Sequence, residues 1–294
     1  MITVKKQENE MKARSQFTAI MMRLRKNKLA MLGLAILLAM AILALCADFI
    51  ADYDTQVVGQ DMDARLEGPS ADHWFGTDQF GRDVFARIIH GARISLTLSI
   101  IAMAIAVAIG AIIGAIAGYF GGFRDNILMR LMDILLAIPP MLMSISIVAA
   151  LGQSMSNLLI ALSIAYIPVF ARVIRSSILS IKDQEFIEAS RCCGSNDWHI
   201  IIKHIIPNAI GPIIVQATLA MGATILIIAS LSFMGLGVKP PASEWGTMLY
   251  EGRDFLRQAP YLVLIPGTAI TLAVISLNLL GDGLRDALDP RMKN

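Results

Sequence analysis

Long apolar runs alternate with short polar interludes along the whole chain. Six runs stand out, roughly 29–50, 94–119, 127–151, 158–178, 209–236 and 261–280. A bilayer's hydrocarbon core is about 30 Å thick, so a helix that crosses it needs roughly 20 mostly apolar residues. No run shows the period-two alternation of a barrel strand, and lipid leaves open backbone groups unsatisfied, so each run predicts a helix. The expected fold class is an all-α integral membrane protein with six transmembrane helices. Its parts are an amino-terminal tail (1–28), a first transmembrane helix (29–50), an outer segment (51–93), a core of five helices (94–281) and a second tail (282–294). The core includes a polar loop (182–207) and a second outer segment (237–260).

Composition supports this class. Of 294 residues, 56% are hydrophobic and only 16% charged, too apolar a mixture for an ordinary soluble domain. The first run follows a basic tail and is longer than the apolar stretch of a signal peptide, and Leu45 before Cys46 spoils a lipoprotein-type cleavage site. It reads as an uncleaved anchor. With six spans both termini share a side, which collects Lys5, Lys6, Lys12, Arg14, Arg23, Arg25, Lys26, Lys28, Arg124, Arg130, Arg285, Arg291 and Lys293. The positive-inside rule then predicts cytoplasmic termini. A net charge of +2 gives no reason to expect a nucleic-acid partner. Cys192 and Cys193 fall on the cytoplasmic side and Cys46 near the outer end of the first span, with no disulfide framework or metal-ligand spacing.

Several features lie within the spans. Ala102, Ala106, Gly110, Gly114 and Gly118 recur every four residues and line one helical face with small side chains, for packing within the chain or against another subunit. Asp133 is an ionisable residue in the third span, one turn from Arg130, so an i,i+3 pair is expected, with a transport role as the alternative. Pro139 and Pro140 should kink the same helix, and Pro168 and Pro212 are kink sites in spans four and five. The seventeen methionines scatter through apolar stretches and read as core filling rather than metal ligands.

The polar loop breaks the apolar pattern most sharply. Asp183 is placed to cap a short helix over 184–193, and Gly194 to end it in a left-handed conformation. Residues 195–197 can cap a second helix with Trp198, Ile201, Ile202 and Ile205 on one stripe, stopped by Pro207. Such a helix, glycine turn and helix expose Glu188, Arg191 and small residues on a compact knob. Docking of a partner and a simple solvated loop both fit that description.

Glu188-Ala189-Ser190, three residues, Gly194, nine residues, then His204-Ile205-Ile206-Pro207 resembles the EAA loop of binding-protein-dependent ABC importer permeases. Ser190 stands for the second alanine, His204 for the first isoleucine and Ile206 for the leucine of that pattern. "FGTDQFGRDVFARIIHGARISL" from Phe75, "LSFMGLGVKPPASEWGTML" from Leu231 and "NLLGDGLRDALDPR" from Asn278 are similar to the C-type permease subunit of dipeptide and oligopeptide importers. The resemblance covers nearly the whole chain from about residue 25.

The resemblance implies the type I ABC importer permease fold and a place in the cytoplasmic membrane of a bacterium or archaeon. It implies that Glu188, Ala189, Ser190 and Gly194, supported by Arg191 and Pro207, dock a cytoplasmic ATPase. The chain has no G-x-x-x-x-G-K-[ST] phosphate loop, so it is not expected to be an enzyme or to hold a cofactor. ATP and Mg would belong to two separate ATPase subunits. A B-type permease subunit, forming a heterodimer, and an extracytoplasmic substrate-binding protein complete the implied partners, and peptide is the implied substrate. Gln216, Met221 and Ser230 are candidate path residues on span five. Asp78, Arg82, Asp83, Trp245 and Glu251 are candidate contacts for the binding protein or a gate, with a purely structural role as the alternative. Nickel or metal-chelate import is the near rival, although His73 and His90 form no ligand cluster. An ion-coupled secondary transporter or channel would want inverted repeats and charges converging at mid-membrane. A regulatory membrane subunit is a third class.

Overall fold

The computed structural model of the chain describes residues 16–288. Within them helices follow one another as α1 (Gln16–Lys26), α2 (Lys28–Leu45), α3 (Ala47–Ile50), α4 (Val84–Phe120), α5 (Gly122–Leu136), α6 (Pro140–Leu151), α7 (Met155–Ile181), α8 (Glu185–Cys192), α9 (Asp197–Ile200), α10 (Ile206–Phe233), α11 (Trp245–Gly252) and α12 (Tyr261–Leu288). The basic residues Lys5, Lys6, Lys12, Arg14, Arg291 and Lys293 lie outside the described residues.

Five stretches are apolar and long enough to cross a membrane: α2, α4, α7, the continuous run Asp197–Phe233, and α12. The third apolar run behaves differently from the single kinked helix its sequence predicts. It divides into α5 and α6, bent by 83° and separated by three residues. The cause is the paired proline. A residue before proline is pushed out of the helical region, and proline offers no N–H to the turn behind it. Pro139 is extended at φ −54° and ψ 136°, and Pro140 restarts the helix at its first turn, where a missing N–H costs nothing.

Helix starts are marked by side chains that accept orphan backbone N–H groups. Asn27 caps α2, Asp83 caps α4 and Ser154 caps α7. The run 29–50 is itself interrupted at Cys46, where α2 gives way to α3.

The core forms where α4 lies along α7. Their closeness depends on the small-residue stripe, which therefore packs within the chain. A Cβ added at Gly114 would stand 2.5 Å from the Ala171 carbonyl oxygen, and one at Gly110 2.7 Å from Phe170 Cβ. Phe170, Ala171, Ile174 and Ile178 are fully buried on the facing side of α7. Isoleucines from the polar loop join this same apolar cluster. A second cluster lies at the opposite end of the bundle, where Trp245 and Met248 of α11 meet Val84, Ala92 and Leu262. The molecule thus has a loop side and a cap side, with α4 running from one to the other.

Candidate functional site

The polar loop is a compact, outward-facing unit fastened from beneath. In α8 only Ile187 is buried, and it is fully so, packed into the main core. Glu188, Ala189, Arg191 and Gly194 are exposed, and Ser190 is half-buried. Glu185 and Glu188 occupy the first turn and Arg191 the last, an order that complements the helix dipole. Gly194 takes φ +81°, and the N–H groups of Gly194 and Ser195 donate to the carbonyls of Arg191 and Ser190 at 2.9 and 3.2 Å. Those two bonds close α8 with a Schellman turn, which a glycine enters without the penalty a Cβ would add.

Three details differ from the sequence-based expectation. Asp183 does not cap α8: the cap position falls to Gln184, whose side chain turns back to donate to the Ser180 carbonyl instead. Asn196, inside the stretch 195–197 expected to cap the second helix, does cap α9 by accepting from Trp198 N–H. The apolar stripe is formed by Ile200, Ile201 and Ile205, which are buried, while Trp198 and Ile202 are exposed. The reason is the third difference. Pro207 does not stop this helix, because residues 201–205 widen into a π-helical turn before α10. The wide turn relieves the clash of a proline ring with the carbonyl four residues back and shifts the facing of every side chain before it. Pro207 itself is exposed in the first turn of α10.

The loop is also latched to the end of α4. Tyr119 donates a hydrogen bond to Asp197 Oδ1 at 2.6 Å, and the Arg191 guanidinium lies 5.3 Å from the Tyr119 ring centroid. Phe120 meets Trp198 edge to face at 6.3 Å. Tyr119 and Asp197 are functional candidates that local sequence reading passes over, since 78 positions separate them. Their signal was present only as a tyrosine closing an apolar run and an acid beside the glycine turn.

On the cap side, three of the residues expected as outer contacts, Asp78, Arg82 and Glu251, form an internal weld with Arg87. Asp78 Oδ2 accepts from Arg82 Nε at 2.6 Å and Arg87 Nη1 at 2.5 Å. Glu251 Oε2 accepts from Arg82 Nη2 at 2.7 Å and lies 2.9 Å from Arg87 Nη2. Asp78, Arg82 and Arg87 are buried, so two carboxylates and two guanidiniums join the first outer segment to the second inside the protein. Asp83 is engaged twice, capping α4 and pairing with His73 Nδ1 at 2.8 Å. Trp245 is fully buried with its indole N–H on the Ile88 carbonyl. Asp78 and Trp245 therefore present no exposed side chain to a partner; Arg82, itself buried, and Glu251 both edge a cap-side cavity of about 680 Å³.

Within the spans, Asp133 pairs with Arg172 of α7 at 2.7 Å rather than with Arg130. The bend after α5 lays that helix across α7, which brings a charge from another helix closer than its own neighbour. Asp125 and Arg175 make a second bridge between the same helices. Gln216, Met221 and Ser230 are not brought together. Met221 packs between the two apolar clusters, Ser230 bonds back to the Leu226 carbonyl beside a separate apolar cavity, and Gln216 stands half-buried elsewhere on α10. Among the described residues, no group of three or more His, Cys, Asp or Glu side chains could hold a metal ion.

The described residues form a helical membrane bundle with a fastened, outward-facing polar knob at one end and a welded cap at the other, and its sequence matches membrane transport permeases. Residues 110–294 match the family model described as binding-protein-dependent transport system inner membrane component, and the chain belongs to that family. Residues 15–69 match the N-terminal TM domain of oligopeptide transport permease C. The chain is 46% identical over 287 residues to the dipeptide transport system permease protein DppC of Alkalihalophilus pseudofirmus, covering 98% of this chain and 94% of that one. It is 44% identical over 271 residues to the glutathione transport system permease protein GsiD of Pectobacterium atrosepticum, covering 92% and 89%. An inward-facing MetNI methionine ABC transporter structure aligns with a TM-score of 0.56 at 17% identity, covering 70% of this chain and 98% of that chain. The fold is that of a type I ABC importer permease, and the chain is a multi-pass inner-membrane permease subunit.

Proposed function

We propose that the chain is the C-type permease of an ATP-driven importer of dipeptides or oligopeptides. The observation that carries this reading is the knob formed by α8 and its glycine turn, with Glu188, Ala189 and Gly194 exposed, Ser190 half-buried and Ile187 locked into the core. A fastened, surface-exposed helix can transmit force, whereas a floppy loop cannot. Two ATPase subunits holding ATP and Mg would dock there, with Arg191 and Pro207 setting the geometry. A B-type permease completes the pathway, and a binding protein delivers substrate to the cap side. The loop side and both termini then face the cytoplasm, as the basic residues require.

In this cycle nucleotide binding favours one docked arrangement of the ATPases over another, and the permease follows that difference in free energy. The similarity to dipeptide and glutathione permeases supports peptide as cargo. Against nickel, His73 is occupied by Asp83 and the His90 ring by the Ala51 carbonyl. The test is uptake into proteoliposomes containing the full complex and loaded binding protein. ATP-dependent entry of labelled dipeptide, uncompeted by nickel chelates, is expected. Entry of nickel without peptide would establish the rival.

A further inference from the structure

Two ion pairs tie α5 to α7, and they are built differently. Arg175 grips Asp125 through two hydrogen bonds of 2.5 and 2.6 Å, with side chains only 30% and 15% exposed. Arg172 touches Asp133 through a single bond of 2.7 Å, and these side chains are 56% and 49% exposed. The remaining guanidinium donors of Arg172 and Asp133 Oδ2 have no hydrogen-bond partner among the described residues. An exposed, singly bonded pair contributes little to stability, roughly 0–1 kcal/mol. The helices are already held by Arg175 and Asp125, so holding them does not explain it.

Its surroundings point to a ligand. Arg172 lines a cavity of about 540 Å³ with Leu136, Ser176, Ser177, Ser180 and Pro212. Arg172, Ser176 and Ser180 are spaced four apart, placing a charge and two hydroxyls along one face of a membrane-crossing helix. Such side chains are costly against lipid and belong where a span faces a polar path. The volume lies within the roughly 300–1,000 Å³ of small-molecule sites.

We propose that Arg172 and Asp133 form an exchange site for a small zwitterion in transit. The ligand's carboxylate takes the planar fork of Arg172, which suits two parallel hydrogen bonds, and its ammonium takes Asp133. The internal pair opens as the ligand enters and closes behind it, so neither charge is left unpaired in the empty state. Ser176 offers its hydroxyl to the ligand's peptide group, while the Ser180 oxygen, whose hydrogen is given to the Ser177 carbonyl at 2.7 Å, is left to accept. This assignment rests on the importer reading above and names residues for the step between delivery and release.

The experiment uses the complete importer in proteoliposomes, with wild type, Arg172→Gln and Asp133→Asn compared. Uptake of labelled dialanine and of labelled glutathione is read beside binding-protein-stimulated ATP hydrolysis in the same preparations. Each substitution is expected to cut uptake at least tenfold while stimulated hydrolysis stays within twofold of wild type. Unchanged uptake in either variant overturns the site. Uptake and hydrolysis falling together also overturn it, because that is what a structural tie would do. A wild type that imports neither probe overturns the importer reading, and this site with it.

Discussion

The Tyr119 hydroxyl and the Asp197 carboxylate meet at 2.6 Å, joining the last turn of α4 to the first turn of the helix that follows the glycine turn. α4 has 37 residues and no proline, so it runs about 55 Å without a break. Its other end is capped by Asp83 and carries Arg87 into the buried weld with Asp78 and Glu251. One stiff element therefore touches both the polar loop and the cap-side weld.

Removing only the hydroxyl with Tyr119→Phe should loosen the loop locally. A hydrogen bond to a charged group contributes about 1.5–3 kcal/mol, and the lower end applies because Asp197 is exposed. Amide exchange across 197–206, followed by mass spectrometry, should rise roughly tenfold, the equivalent of about 1.4 kcal/mol. Exchange equal to wild type would show that the isoleucine anchors hold the loop alone.

The cap weld should tolerate no half-measures. Arg87→Ala leaves Asp78 and Glu251 short of a buried partner, and breaking such a network costs about 3–5 kcal/mol. A marked fall in thermal midpoint of the detergent-solubilised chain is expected, one that added salt does little to mimic because screening reaches buried pairs weakly. A loss below about 1 kcal/mol would mean water reaches the cluster.

Glycines on different faces should respond with opposite signs. At Gly114 a methyl would press to 2.5 Å from the Ala171 carbonyl, so Gly114→Ala should separate α4 from α7 and cost about 1–3 kcal/mol. At Gly267 in α12 nothing lies within 4 Å of the added Cβ, so Gly267→Ala should stabilise by about 0.4–1 kcal/mol through the unfolded chain. Thermal unfolding of both variants reads the contrast directly, and matching shifts would contradict it.

Acid should loosen α3. A hydrogen bond from Arg93, at 2.8 Å, holds the Asp48 carboxyl below its usual range, and the charge of Arg93 adds to that. A depressed carboxylate stabilises fully above the ordinary aspartate value near 4 and stops doing so as pH falls through its folded value. Pepsin cleavage within 46–58 should therefore rise in wild type as pH falls below about 4, whereas Asp48→Asn should be cleaved equally on both sides of that step.

Much of this architecture was readable from the sequence because apolar runs must become helices in lipid. Gly194 announced its left-handed turn for the same local reason, since few other residues enter that conformation easily. What escaped were relationships set by three-dimensional crossing. Asp133 had Arg130 one turn away, yet the 83° break redirected it to Arg172. Pro207 looked like a stop because proline usually is one, but a π-helical turn absorbed it and rotated Trp198 and Ile202 outward. Asp78, Arg82 and Glu251 left open an outer contact or a structural role, and only the fold shows that they pair with one another in the interior. Arg172 with Ser176 and Ser180 did leave a trace, a four-residue polar spacing inside an apolar span.

On the proposed reading, α8 couples this permease to ATP hydrolysis on another chain. The most direct measurement is binding-protein-stimulated ATP hydrolysis by the assembled complex in nanodiscs, with wild type compared to Glu188→Arg and Gly194→Pro. The first reverses an exposed charge without touching the core, and the second forbids the φ of +81° that closes the helix. Both complexes should assemble yet lose most of the stimulation; assembled variants stimulated as strongly as wild type would contradict coupling through α8.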